Sequence, residues 1–217
     1  MPKKFCFKTD VPDWSNGVLQ GLAFWVGYKK QHYHEYPIRE GEIVGETLSL
    51  LSSKLDNNFQ LNAEVMYRDL CNEWEDNGRA DIVISSKNEN FDYKDDALFI
   101  IEVKRKEANK KEIKKDLERL AKFLEISKNK NLRCFMLFVS QDTRPADYVK
   151  EDGSAKRNVI SIAGMPKYKA RTRKVKKAID KFYMYKKDKN GNKTKIFNAA
   201  DKAHYACLIE VAKVCEN

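Results

Sequence analysis

Long apolar runs are missing from this sequence. No stretch of 18 apolar residues occurs, so no membrane-spanning helix is expected. The opening segment, MPKKFCFKTD, holds no apolar block of the kind a secretory leader needs. Cysteine is sparse: the five residues at 6, 71, 134, 207 and 215 form no CxxC pair and have no metal-ligand spacing with the three histidines. An odd cysteine count without a leader points to a reducing compartment, and the expected location is cytoplasmic. Cys134, inside the apolar run LRCFMLFV, suits a small buried hydrophobe. Glycine-rich phosphate cradles of the P-loop or Rossmann type are absent, and so is any Gly-x-Ser-x-Gly turn for a nucleophilic serine. Internal repeats and low-complexity tracts are lacking as well.

What is present is charge of one sign. Charged residues make up 34% of the 217, above the usual quarter or so, and 42 Lys plus Arg against 32 Asp plus Glu leave a formal charge of +10. Such a surplus favours a polyanionic partner, of which nucleic acid is the commonest. A solvated lysine-rich surface accounts for the same number. The hydrophobic fraction of 42% and the 11 Phe, 10 Tyr and 3 Trp support a folded core, and the length suits one domain.

The pattern along the chain divides it into an aromatic-rich N-terminal arm (1–38), a core (39–145) and a basic extension packed on that core (146–217). In the arm, a short helix is predicted from about Val18 to Tyr28. A second helix is expected from Gly41 to about Leu55, where Val44, Leu48, Leu51 and Leu55 recur at helical spacing. FQLNAEVMYRDL reads as a strand or hairpin arm. Ala80–Ser85 and Ala97–Arg105 read as strands, the second apolar on both faces as in the middle of a covered sheet. Lys110–Ile126 is an amphipathic helix with Ile113, Leu117, Leu120 and Leu124 inward, and Leu132–Ser140 is a buried strand. This order predicts an α/β fold with a central mixed sheet flanked by helices. Beyond it, the basic run from about Tyr168 reads as a helix. KDKNGNKTKIF carries an Asn-Gly hairpin signal, and Ala199–Val214 reads as a closing helix.

The sharpest chemical signal is GRAD (78–81) followed after a polar turn by IIEVKRK (100–106). Side chains at i and i+2 of a strand share a face, so Glu102 and Lys104 project together from the end of a hydrophobic strand. Asp81 joins them if the two strands pair antiparallel. Two converging carboxylates form a hard, oxygen-rich site suited to Mg²⁺, and an adjacent lysine is placed to hold water and offset charge on a phosphate. An ordinary surface ion pair is the bland account of Glu-x-Lys. Charges placed directly after a run that should be buried weigh against it.

This arrangement resembles the PD-(D/E)xK phosphodiesterase superfamily of restriction endonucleases, junction resolvases and repair nucleases. The resemblance covers about residues 40–140, with Ala80 where the name-giving proline would stand. It implies a restriction-endonuclease-like core, to which the basic C-terminal segment, read above as helical, forms an extension. It also implies a metal site of Asp81 and Glu102 with Val103 between the strand residues, and a water-assisting Lys104. A leading-helix glutamate is expected as well, mapping to Glu46 with Glu42 as rival. Mg²⁺, or Mn²⁺ in its place, is the implied cofactor. The implied activity is endonucleolytic cleavage of DNA, of restriction or phage-defence type. Junction resolvase, mobile-element nuclease and a non-catalytic nucleic-acid binder of the same fold remain open.

Two further features complete the expectation. The run KYKARTRKVKK offers Arg171, Arg173, Lys174 and Lys177 to a phosphate backbone. His32 and His34 flank Tyr33, a surface pair within reach of phosphate or base. One active site per chain acting on two strands suggests a homodimer.

Overall fold

The computed structural model describes residues 7–32, 38–88, 90–106, 108–179, 184–196 and 203–214. Helix α1 (Trp14–His32) leads into α2 (Glu40–Ser52), β1 (Phe59–Met66), a single turn α3 (Tyr67–Leu70) and β2 (Arg79–Ser86). A second short turn, α4 (Tyr93–Asp96), precedes β3 (Ala97–Arg105), α5 (Lys110–Ile126) and β4 (Arg133–Ser140). Five strands follow: β5 (Val159–Ser161), β6 (Tyr168–Ala178), β7 (Met184–Lys187), β8 (Lys193–Ile196) and β9 (His204–Lys213).

Among the described residues, seven strands form one sheet in the order β1-β2-β3-β4-β9-β6-β5. It is mixed: β3 and β4 run parallel, joined by the crossover helix α5, and the other pairs are antiparallel. The fold is therefore α/β with helices on both faces. Alternation along the strands sorts the core into two layers. Ile100, Cys134, Met136 and Cys207 pack with Ile113, Leu117, Leu120 and Phe123 of α5. Ile101, Val103, Phe135 and Leu208 pack with Val18, Leu22 and Val26 of α1 and Ile43 and Leu51 of α2. At Gly21 an added Cβ would lie 2.7 Å from the Leu50 side chain of α2, so a larger residue there would have to push that side chain aside. Cys71, Cys134 and Cys207 are buried free thiols.

Two expectations for the C-terminal third are overturned. The basic run from Tyr168 is strand β6, not a helix, and the closing segment is strand β9, also not a helix. They do not form a helical extension packed on the core, because β9 lies between β4 and β6 inside the sheet. The physical reason is visible in β6. Tyr168, Ala170 and Thr172 are buried with cations between them, a period of two. A bulge between Thr172 and Lys174 then shifts the phase and hides the pattern. In β9 both faces are covered, so its apolar residues show no strand alternation. The Asn-Gly segment does turn a hairpin, between β7 and β8.

Candidate active site

The pairing of β2 with β3 stops at Ile82 opposite Ile101, and the polar residues gather just past that point. Asp81 Oδ2 accepts a 2.6 Å hydrogen bond from the Val103 N–H, which pins its carboxyl against the end of β3. The Val103 side chain is buried in the α1/α2 layer, so the backbone is what this residue brings to the site. Glu102, on the opposite face and only 2% exposed, lies beside Asp81. Lys104 follows on the same side of β3 as Glu102, as two-residue spacing requires.

Three elements hold these side chains. Tyr67, at the start of α3, donates its hydroxyl to Glu102 Oε1 at 2.5 Å, and Arg119 of α5 reaches the same oxygen at 3.4 Å. Arg119 also pairs with Asp116 at 3.1 Å. The Lys104 ammonium sits 3.2 Å from Asp116 Oδ2 and 3.0 Å from Glu40 Oε2. Glu40 is in place because Arg105 bonds the Ile38 carbonyl at 3.0 Å, tying the start of α2 to the end of β3.

The electrostatics follow from crowding acids in a covered space. Burial pushes the Glu102 carboxyl up to about 8, and the neighbouring Asp81 adds to the rise against the opposing Tyr67 bond. Asp81 is also raised, chiefly by burial, with the Val103 N–H and Lys104 opposing. Glu102 thus keeps a proton at neutral pH, beside an Asp81 whose carboxyl is raised as well. Burial alone would lower the Lys104 ammonium, but Asp116 and Glu40 outweigh that and raise it. Lys104 is therefore a fixed cation and not a proton acceptor at neutral pH. A further acid, the exposed Glu64, stands opposite Asp81 in the gap between the Ala63–Ile82 and Val65–Ala80 pairs. Its φ of 56° is an unusual left-handed value for a residue with a Cβ, and its charge raises Asp81 further.

Asp81, Glu102 and Lys104 are brought together. The α2 carboxylate that meets Lys104 is Glu40, and among the described residues no hydrogen bond or ion pair joins Glu46 to the three. Glu40 precedes the buried Ile43 and Val44 by three and four residues, which sets it on the inward face; Glu46 lies off it. The rival Glu42 instead accepts the Arg39 backbone N–H at 2.9 Å and pairs with Lys29 at 3.2 Å. Tyr67, Asp116 and Arg119 went unread in the sequence. Asp116 had a signal, because it interrupts the buried stripe of α5 three residues after Ile113 and four before Leu120. Tyr67 had none, since only the fold brings it to Glu102.

Of the proposed phosphate-binding cations, Arg171, Arg173 and Lys174 lie against the N-terminal segment and α1, and Lys177 lies elsewhere. Arg173, at the β6 bulge, is buried: it pairs with Glu210, which also holds Arg133 at 2.8 Å, and it bonds the Lys8 carbonyl at 2.5 Å. Arg171 lies 4.4 Å over the Phe7 ring, and Lys174 approaches Ser15 of α1 at 3.5 Å. Lys177 packs instead against Gly153. His32 bonds the Tyr28 carbonyl at 2.9 Å and stacks on its ring, while His34 lies outside the described residues. No helix is long and apolar enough to cross a membrane among the described residues.

No protein-family profile, curated protein or solved structure matches this chain. The site's geometry and chemistry carry the functional argument alone.

Proposed function

We propose that this chain is a metal-dependent endonuclease of the PD-(D/E)xK type that hydrolyses DNA phosphodiester bonds. One observation carries the reading: two carboxyls, Asp81 and Glu102, lie side by side where β2 and β3 part, and a charged lysine stands next to them. Two adjacent carboxyls, both raised by burial, mark a place where a cation is favoured. Among the described residues no set of three His, Cys, Asp or Glu side chains is arranged around a metal. Mg²⁺ does not need one, because it commonly takes one or two carboxylates and completes its shell with water and substrate phosphate. The donor set fits that ion, with Mn²⁺ as a substitute.

Asp81 and Glu102 would hold the ion, which when bound supplies Lewis-acid stabilisation of the phosphate and a more acidic water. Tyr67 and Arg119 fix the Glu102 carboxyl, and the Val103 N–H fixes Asp81. Lys104 donates one hydrogen bond to Glu40 and is held by Asp116 as an ion pair, leaving N–H donors for the attacking water or a phosphate oxygen. As a cation it offsets the negative charge that builds as the water attacks.

The double pairing of Lys104 also favours a second reading, a structural ion network in a nucleic-acid binder without catalysis. Incubating purified protein with plasmid and with linear and branched DNA in Mg²⁺ or Mn²⁺ separates the two. Nicking by the wild type that Asp81→Ala abolishes is the expected result. Equal, metal-independent nicking by both proteins, or none by either, removes the nuclease assignment.

A further inference from the structure

A cleft of about 570 Å³ opens beside the carboxylate pair, between α5, the Trp74–Gly78 segment that leads into β2, and the Ala163–Met165 loop. Its volume lies within the roughly 300–1,000 Å³ usual for small-molecule sites. Arg119 belongs to both places: its guanidinium lines the cleft and bonds Glu102 at 3.4 Å. A ligand in the cleft is therefore one side chain away from the candidate metal pair.

The walls say what the ligand is. Lys115, Arg119 and Lys122 stand at i, i+4 and i+7 on α5, one face of the helix, and all three line the cleft. Arg119 is engaged by Glu102 and Asp116, but the exposed Lys115 and Lys122 meet no carboxylate within ion-pair distance among the described residues. Of the two acids in the lining, Asp76 is already occupied, its Oδ1 accepting from the Trp74 indole N–H and the Gly78 N–H at 2.7 Å each. The Lys122 ammonium lies 5.1 Å above the Trp74 ring. That is a weak contact for an exposed lysine, and a phosphate competes for it. Trp74 is buried, with Tyr67 and Phe123 against it, and lines the cleft beneath Lys122, so a base reaches the indole only where Lys122 turns away to an anion. Glu118 and Asn77 remain on the wall as polar groups able to meet the edge of a base.

We propose that this cleft binds one nucleotide of the substrate strand, unpaired from its partner, next to the bond that is cut. Lys115 and Lys122 take its phosphate, and Trp74 takes the base by stacking. The proposal rests on the nuclease reading for the strand's identity, whereas the binding site itself stands on the cleft.

The test uses the full chain and free 5′-dAMP as probe, with deoxyadenosine and inorganic phosphate alongside, read by tryptophan fluorescence. Saturable quenching by 5′-dAMP is expected, at least 10-fold weaker in the Lys115→Glu, Lys122→Glu double variant, with deoxyadenosine and phosphate each binding less well. Both lysines are exposed, so this variant should melt like the wild type, and a melting scan checks that. Absence of saturable 5′-dAMP binding, unchanged affinity in a folded double variant, or equal binding of phosphate alone overturns the proposal. Asp81→Ala separates the two claims, because it should lose cleavage yet bind 5′-dAMP as the wild type does. Lysine-dependent 5′-dAMP binding by a wild type that cuts nothing keeps the cleft and discards the nuclease. Normal cutting by a double variant, from a wild type that ignores 5′-dAMP, does the reverse.

Discussion

The hydroxyl of Tyr67 donates to Glu102 Oε1 at 2.5 Å, joining a residue of the turn after β1 to the carboxyl at the heart of the candidate site. Tyr67 is itself fully buried against Trp74 and Phe123, so it holds that carboxyl in one orientation.

Removing this hydroxyl tests it as a positioning group. Tyr67→Phe should cost roughly 1–3 kcal/mol of stability, because one oxygen of a buried carboxyl loses its best donor. Mn²⁺ affinity should fall about 10- to 100-fold, as for other groups that orient a metal ligand from behind. Denaturant unfolding and calorimetry measure the two. A purely structural tyrosine would lower stability and leave affinity for Mn²⁺ untouched across pH.

The raised Glu102 carboxyl makes a pH prediction for the metal-free protein. Its folded value of about 8 lies above the ordinary 4.5, so the folded state holds a proton that the unfolded chain releases. The contribution to stability is full below about 4.5 and is lost as pH rises through about 8. In EDTA the stability should therefore fall between those limits. Glu102→Gln, which keeps the shape and cannot ionise, should flatten the fall and be the more stable protein at pH 9. Parallel stability curves for the two proteins would remove Glu102 as the cause.

Glu40 and Glu46 give opposite expectations. Glu40→Ala frees Lys104 from one of its two anchors and should slow cleavage by roughly 10-fold, about 1.4 kcal/mol of barrier. Glu46→Ala should leave the rate within a factor of about two, since surface changes are usually within ±0.5 kcal/mol. Lys104→Ala should slow it by on the order of 10² or more, about 3 kcal/mol. Rates are taken per folded molecule, with DNA binding in Ca²⁺ as control. A Lys104→Ala protein that melts early yet cuts normally establishes the structural ion network instead.

Arg173 should behave as a core residue. Its removal leaves Glu210 buried with Arg133 alone and cuts the tie to the Lys8 carbonyl, at a cost of about 3 kcal/mol. Arg173→Ala should unfold at distinctly lower urea, while Lys177→Ala should not. Were Arg173 a phosphate contact, its loss would instead leave the urea midpoint in place and lower the salt slope of DNA binding by about one unit.

The residues that determine the site's skeleton act locally, and local action is what a sequence records. Ala97–Arg105 and Lys110–Ile126 form the strand and helix that their apolar patterns specify, because burial on both faces and a 3.6-residue stripe leave few alternatives. Two-residue spacing likewise put Glu102 and Lys104 on one side of β3. The tertiary structure decided what depends on partners far along the chain. β9 is a strand because β4 and β6, about 70 and 35 residues away, offer it hydrogen bonds on both edges; its own composition suits a buried helix equally. Glu40 displaced Glu46 because Arg105 holds the start of α2. Tyr67, Asp116 and Arg119 became neighbours of Glu102 and Lys104 only when α3 and α5 closed around the end of β3. Arg173 was turned inward in the same way, since a bulge set it beside Glu210, a buried acid that needed a cation.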